Sequence, residues 1–316
     1  MTEVLISRCR DPRWNLALEE TLIDRGAHLL YLWQNEPSVI LGRNQDPYSE
    51  CEPEKLAEKG IHLVRRKSGG GAVYHDLGNL NITFLSEKSP EAPEKNFAFL
   101  TAVLKSLGAE ARVSGRNDLE VGGKKISGSA FYETETAFCH HCTMLVSTDS
   151  AAMAEALKPS RLKLQSKGIA SVRSRVANLE EICPGLTAET LSAAIVRRAG
   201  GTPRYITRQD MEAVPEIAGK AERYGSWEWN FGESPSANLV RERKFPWGLV
   251  KAELRIRSSV IEACRITTDS LDAEPFSRLS AALTGRKPER EDLLDALSVL
   301  PDRQVRQDLL SLLTEG

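Results

Sequence analysis

The chain has 316 residues, enough for one large domain and a small one, or for two ordinary ones. Hydrophobic residues make up 41% and charged residues 27%, as in globular enzymes, and no apolar run nears the ~20 residues of a bilayer span. A formal net charge of −2 excludes a global positive field for nucleic acid or an anionic membrane, so basic groups must act locally.

The first residues, MTEVLISRCRDPRW, carry no signal-peptide core and no Ser/Arg-rich presequence. Trp14–Ala27 has helical apolar spacing. HLLYLWQ and SVILG read as two strands split by the turn signal NEP. PYSECEPEKLAEKG reads as a helix ending at Gly60, and IHLVRR as a strand that enters the loop Arg65–Asn79, RRKSGGGAVYHDLGN. LNITFL is a strand and KNFAFLTAVLKSLG a helix closed by Gly108. DLEVGGKKISGSAFYE is a hairpin turning at Gly122-Gly123, and HCTMLVS is a further strand. SAAMAEALKP, RVANLEEI and TAETLSAAIVRRAG read as helices. SWEWNFGESPSANLVRERKFPWG reads as irregular structure with aromatic anchors, leading to a domain junction. Two antiparallel strands (GLVKAELRIRSSVIEACRITTD) and helices (PFSRLSAALTG and the segment from Arg290) then form a small α+β unit.

Six scattered cysteines, Cys9, Cys51, Cys139, Cys142, Cys183 and Cys264, do not form a disulfide framework and fit a reducing cytoplasm. CHHC at Cys139–Cys142 contains zinc-type ligands, but a structural site pairs such a cluster with a second, and no other CxxC or HxxxH exists. On a strand, Cys139 and His141 face one side and His140 and Cys142 the other.

The glycine run carries the first chemical signal. Adjacent glycines allow backbone N–H groups to curl around an oxyanion, and Arg65, Arg66 and Lys67 precede them. The loop matches neither GxxxxGK[ST] nor GxGxxG. By itself it is either an anion cradle or a loop passing close to another strand. Lys124 and Lys125 face opposite sides of a strand, so only one serves a site, and the small residues SGSA leave room for a ligand beside it. Asn117 and Asp118 are suited to a divalent cation, a ribose or a turn. A cradle, an arginine and a lysine suit attack of a carboxylate on the α-phosphate of ATP, where two anions must be brought together.

RRKSGGGAVYHDLGN, GRNDLEV, KKISGSAFYE and KGIASVRSRVANL, with GSWEWNFG at Gly225–Gly232, resemble in order and spacing the signature segments of bacterial two-domain lipoate–protein ligases. The resemblance covers nearly the whole chain. It implies an α+β fold: a large biotin/lipoate ligase-like catalytic domain (1–240) with mixed sheets flanked by helices, a linker (241–248) and a small C-terminal accessory domain (249–316). It implies formation of lipoyl-AMP from lipoate and ATP with Mg²⁺. The lipoyl group then passes to a lysine on apo lipoyl domains of 2-oxo-acid dehydrogenase complexes or on the glycine cleavage H protein. By the same resemblance, Arg66, Gly71, Ala72, Val73, Tyr74, Lys125 and Asp118 bind ATP or the adenylate, with Lys125 catalytic and Asp118 at the metal. Lys125, Gly70, Gly71, Ser127 and His141 bind lipoate, and Lys124 is solvated. Lys67 and Cys142 depart from the family pattern. Cys142 is either a small buried thiol or the nucleophile of a cysteine-dependent octanoyl transferase, and a non-catalytic lipoate-binding regulator is the third reading. The small domain is expected to swing after adenylation about a hinge in 231–248. A cytoplasmic monomer is expected, with no nucleic-acid or membrane partner.

Overall fold

The computed structural model describes residues 2–115, 117–158, 176–231, 239–257, 260–272 and 274–314. Its strands, in chain order, are β1 (Val4–Ser7), β2 (Leu29–Trp33), β3 (Ser38–Leu41), β4 (His62–Arg65), β5 (Val73–His75), β6 (Asn79–Glu87), β7 (Arg112–Ser114), β8 (Asp118–Val121), β9 (Lys124–Glu133), β10 (Ala137–Leu145), β11 (Pro203–Ile206), β12 (Leu239–Phe245), β13 (Gly248–Arg257) and β14 (Val260–Thr268). They form an eight-stranded mixed sheet, β11-β1-β2-β6-β10-β9-β8-β7, and two three-stranded sheets, β4-β3-β5 and β12-β13-β14.

Both faces of the large sheet are covered; β6 and β10 are apolar toward one face, through Leu80, Ile82, Phe84 and Met144, and carry Asn81, Thr83, His141 and Thr143 on the other. One face packs on the helices Ala92–Ser106 and Ala188–Ala199 through residues such as Ile82, Phe97, Leu100, Met144 and Ile195. The other packs on Pro12–Asp24 and Pro215–Gly225 through Leu16, Tyr31, Trp33 and Tyr224. The small β4-β3-β5 sheet lies on this second side and carries the glycine loop between β4 and β5. Helix Pro12–Asp24 starts where Asp11 accepts the Arg13 amide and Pro12 needs no donor partner. The stretch PYSECEPEKLAEKG is two short helices, Pro47–Glu50 and Pro53–Glu58, because Pro53 lacks the N–H that would continue the first. RVANLEEI shortens to a helix at Leu179–Ile182, and the hairpin between β8 and β9 turns on Gly122 and Gly123, both with positive φ.

The C-terminal unit has its own core, where Val250, Leu254 and Ile266 of its sheet meet Phe276, Leu279, Leu297 and Leu309 of its three helices. Residues 241–248 are not a linker: 241–245 belong to β12, which pairs with β13 from Leu239↔Leu254 to Phe245↔Gly248. The strand was hidden among aromatic and proline residues, and its alternating exposure is that of an edge strand. The part of the expected hinge at 232–238 lies outside the described residues, as do Arg116 and residues 167–175 of KGIASVRSRVANL.

Candidate active site

A cavity of about 350 Å³ lies between the large sheet and the glycine loop, closed on one side by the β12–β13 turn and the segment Asp269–Leu271. Its floor is one row of residues crossing the sheet. Trp33 on β2 pairs with Asn81 on β6, and Asn81 with Thr143 on β10. The Thr143 hydroxyl meets the Gly128 amide of β9 at 3.2 Å, and Gly128 pairs with Asp118 on β8. All five line the cavity. Four strand spacings of about 4.8 Å separate the ends, so the row is about 19 Å long. One end is apolar, with Trp33, Leu16, Ile40 and Val73; the other carries Lys125, Asp118 and Asn117.

Lys125 reaches the polar end because of a β-bulge. Register shifts between Leu119 and Glu120, so Ile126 and Ser127 both turn into the core and Lys125 comes to the cavity face. There its Nζ lies 2.7 Å from Asp118 Oδ1 and packs against Gly128, where a Cβ would come within 3.1 Å of it. Lys124 is exposed, as expected. Asn117 also lines the cavity and donates its amide to the Ser129 carbonyl at 2.8 Å. The side-chain oxygens of Asp118 and Asn117 are hard donors of the kind that share Mg²⁺ with phosphate groups.

The glycine loop is held from behind by two buried arginines. Arg66 donates to Ser68 Oγ (2.9 Å) and to the carbonyls of Ile40 (3.1 Å), Gly69 (2.5 Å) and Gly71 (2.9 Å). Arg65 donates to the carbonyls of Gly42, Arg43, Gln45, Trp229 and Asn230, while Asn230 Oδ1 accepts its amide at 2.7 Å. Burial lowers Arg65 to about 9 and Arg66 to about 10, values at which both remain cations at neutral pH. Arg66 therefore lines the cavity chiefly as the brace of the loop. The motif SWEWNFG, expected as irregular, supplies a short helix, Trp227–Asn230, whose end ties down β4.

Gly69 and Gly70 are glycines for different reasons. A Cβ on Gly69 would stand 2.2 Å from the Ser270 carbonyl oxygen and 2.4 Å from that of Leu271. Gly70 has φ +88°, and its amide donates to Ser270 O at 2.7 Å. The C-terminal unit thus sits directly on the loop. Thr268 N–Asn44 O (3.1 Å) and Ser277 Oγ–Asn44 Oδ1 (3.1 Å) extend the contact.

Gly70, Gly71, Ala72, Val73, Lys125, Asp118 and His141 line the cavity. Two expected residues do not. Tyr74 alternates to the opposite face of β5 and packs with Val39, Leu41 and Leu56. Ser127 is 1% exposed and lies on the core face with Leu119, its partner on β8, because the bulge moves Lys125 and not the serine. Lys67 is bound to Glu20 at 2.8 Å. Cys142 is among the cavity-lining residues, but its thiol packs in the core, 3.6 Å from the Ile82 carbonyl, and burial raises it to about 12.

Cys139 and His141 do share one face of β10, and with Glu19 they place ligand atoms within 4.8 Å of one another. Both His141 nitrogens are in use, Nδ1 with Glu19 at 3.0 Å and Nε2 with Ser68 Oγ at 2.7 Å. This is a hydrogen-bond chain from the first helix to the brace of the glycine loop. His140, on the other face, is buried among Phe84, Phe97 and Phe131 and is pushed down to about 3 by burial. Glu19, Trp33, Asn81 and Thr143 were not singled out from the sequence. Cross-strand register brings Trp33, Asn81 and Thr143 to the site, and packing of the first helix on the sheet brings Glu19 to His141.

The model for the lipoyl protein ligase A/B catalytic domain matches residues 11–199, more than half of the chain. The chain belongs to this family. A second model, the bacterial lipoate protein ligase C-terminus, matches residues 234–312, which includes β12. Among solved structures, P. falciparum LipL1 in complex with lipoate is 28% identical, with a TM-score of 0.88 and 100% of both chains covered. The bipartite lipoate protein ligase of Thermoplasma acidophilum, solved with its E2 lipoyl domain, is 27% identical over 75% of this chain and 99% of that one, with a TM-score of 0.62. Lipoate-protein ligase A bound with ATP is 26% identical over 73% of this chain and 99% of that one, with a TM-score of 0.60. Membership of the family makes the protein an enzyme of lipoyl attachment with the two-unit ligase fold. All six cysteines are free, and no helix among the described residues is long and apolar enough to cross a membrane.

Proposed function

We propose that the protein is an ATP-dependent lipoate–protein ligase. The observation that carries this reading is the cross-strand row, a track that starts at the apolar end by Trp33 and ends at Lys125, Asp118 and the glycine loop. A lipoyl chain laid along it has its dithiolane at Trp33 and its carboxylate at Lys125.

In the first step a carboxylate oxygen attacks the α-phosphorus of ATP, and the bond to the diphosphate leaving group breaks. The reactants repel each other, and the Lys125 ammonium placed between them offsets that repulsion. Asp118 holds the ammonium in position at 2.7 Å. The loop residues Gly70 to Val73 line the adenylate, and Arg66 fixes the carbonyls of Gly69 and Gly71 so that the backbone is preorganised. Asp118 and Asn117 would hold the Mg²⁺ that arrives with ATP, which supplies charge neutralisation to the phosphates. In the second step the ε-amine of an acceptor lysine attacks the acyl carbonyl. The amide forms, AMP leaves with the bonding pair, and the amine proton passes to solvent. The acceptors are apo lipoyl domains of 2-oxo-acid dehydrogenase complexes and the glycine cleavage H protein. The seat of the C-terminal unit on Gly69 and Gly70 would open to admit them. The working form is a cytoplasmic monomer.

The inward-turned, high-pKa Cys142 thiol argues against a cysteine-dependent transfer. Incubation with lipoate, Mg-ATP and an apo lipoyl domain tests the reading. Mass gain on the domain with stoichiometric AMP is expected. ATP-independent transfer from acyl carrier protein, or binding without transfer, would refute it.

A further inference from the structure

At the apolar end of the cavity one polar group has no partner. His75 lines the cavity beside Trp33, with ring centroids 6.0 Å apart, and is 3% exposed. Its Nε2 is buried and makes no hydrogen bond among the described residues. A buried polar atom left unpaired is costly, so its persistence calls for a ligand.

The proton on that ring can be placed by following the hydrogen bonds inward. The Asn15 side-chain oxygen accepts from Ser7 Oγ (2.7 Å) and Tyr31 Oη (2.9 Å). Its Nδ2 donates to the Gln34 carbonyl (3.1 Å) and to Asn35 Oδ1 (2.9 Å). Hydroxyls on one side and a carbonyl on the other fix the orientation of Asn15, and Asn15 fixes that of Asn35. Asn35 therefore turns its Nδ2 toward His75 Nδ1, at 3.0 Å, and Asn81 Nδ2 lies at 3.5 Å from the same atom. With donors facing Nδ1, that nitrogen holds a lone pair and the ring hydrogen sits on Nε2. Burial, with the charge of Arg66 nearby, lowers His75 to about 3, so the ring is neutral at any working pH. Trp33 cannot fill the same role, because its Nε1 already donates to Thr83 at 3.0 Å.

We propose that His75 is a specificity-determining residue whose fixed Nε2–H donates to a sulfur of the dithiolane ring, selecting lipoate over a saturated acyl chain of similar length. This rests on the ligase reading of the cavity. Sulfur is a weak acceptor, but the discrimination comes mainly from the alternative, since a plain hydrocarbon leaves the buried donor unpaired. Trp33 and Val73 supply the apolar wall that either chain would accept.

The test follows pyrophosphate release with lipoate and with octanoate. In His75→Phe, the ratio of kcat/KM for lipoate to that for octanoate should fall about 10-fold. A parallel fall for both acids, or an unchanged ratio, would overturn the proposal. A second measurement needs no substitution. The chain has five histidines, few enough for resolved ¹⁵N spectra of the labelled rings. His75 should show a protonated Nε2 and a bare Nδ1, and lipoate without ATP should shift the Nε2 signal while octanoate leaves it unmoved. A proton on Nδ1, or equal shifts with both acids, would defeat the idea. If neither acid is adenylated yet the ¹⁵N result holds, the ligase reading fails and the role of His75 in acyl recognition stands.

Discussion

Gly69→Ala tests how the C-terminal unit is seated on the active-site loop. The backbone at Gly69 does not have positive φ, so alanine brings no conformational strain of its own. Its Cβ would, however, stand 2.2 Å and 2.4 Å from two carbonyl oxygens that belong to backbone and cannot rotate away. Restoring an ordinary contact of 3.4 Å moves one unit from the other by about 1 Å. That stretches the Gly70 N–Ser270 O bond from 2.7 Å beyond hydrogen-bonding range. It also strains the Thr268–Asn44 and Ser277–Asn44 bonds. At about 1 kcal/mol net for each bond, docking should weaken by about 2–3 kcal/mol. Each unit keeps its own core, so the loss should appear as faster hydrogen exchange at the amides of Gly70 and Thr268 and as earlier melting of the C-terminal unit, with the large sheet unaffected. Gly71→Ala is the control, because a Cβ there meets nothing within 4 Å. Unchanged exchange in Gly69→Ala, or equal effects in both variants, would refute the idea that this glycine is a docking surface.

Three further outcomes are expected. Lys125→Ala should reduce adenylate formation at least 100-fold, and Lys124→Ala should change it little; near-normal pyrophosphate release in the first would falsify the assignment. Cys142→Ala should keep most of the lipoylation activity, and a dead but folded enzyme would restore the thioester mechanism. Glu20 is 5% exposed and binds Lys67, Arg223 and the Tyr224 hydroxyl. Burial alone would raise its carboxyl, but the bonds from Lys67 and Tyr224 and the charges of Lys67 and Arg223 outweigh this and hold it below its ordinary value. A depressed carboxylate stabilises the fold above its unfolded pKa and loses that contribution as pH falls through the folded one. Glu20→Gln should therefore cost about 2 kcal/mol at neutral pH, and the gap to the parent should close in acid; a gap independent of pH would show that packing, not charge, is responsible.

Much of the site was legible because its parts are local. The glycine run and the sharing of one strand face by Cys139 and His141 follow from short-range geometry, whereas the choice of Lys125 over Lys124 rests on the family resemblance, because the bulge that turns Lys125 to the cavity belongs to the β8–β9 pair. Simple alternation misleads by one residue at Ser127, where the bulge is a property of the β8–β9 pair and not of either strand alone. Tyr74 fails for a related reason: a motif match does not say which face of a three-residue strand a side chain takes. Trp33, Asn81 and Thr143 are far apart in the chain and ordinary in composition, and they become a site only through register. Glu19 is hidden in an amphipathic helix, where a buried carboxylate looks like a lapse in the pattern until His141 is placed beside it. β12 was obscured because proline and tryptophan at its C-terminal end read as a junction.

An acyl chain laid along the row from Trp33 to Asp118 runs across the strands and not beside them. Its permitted length is then measured in hydrogen-bonded strand spacings, the least adjustable dimension of a sheet. Side-chain changes at Trp33 or Val73 can widen or blunt the end of the track, but they cannot lengthen it by much. A tolerance for bulkier tails is within easy reach of mutation, whereas a preference for a much longer chain would need another strand.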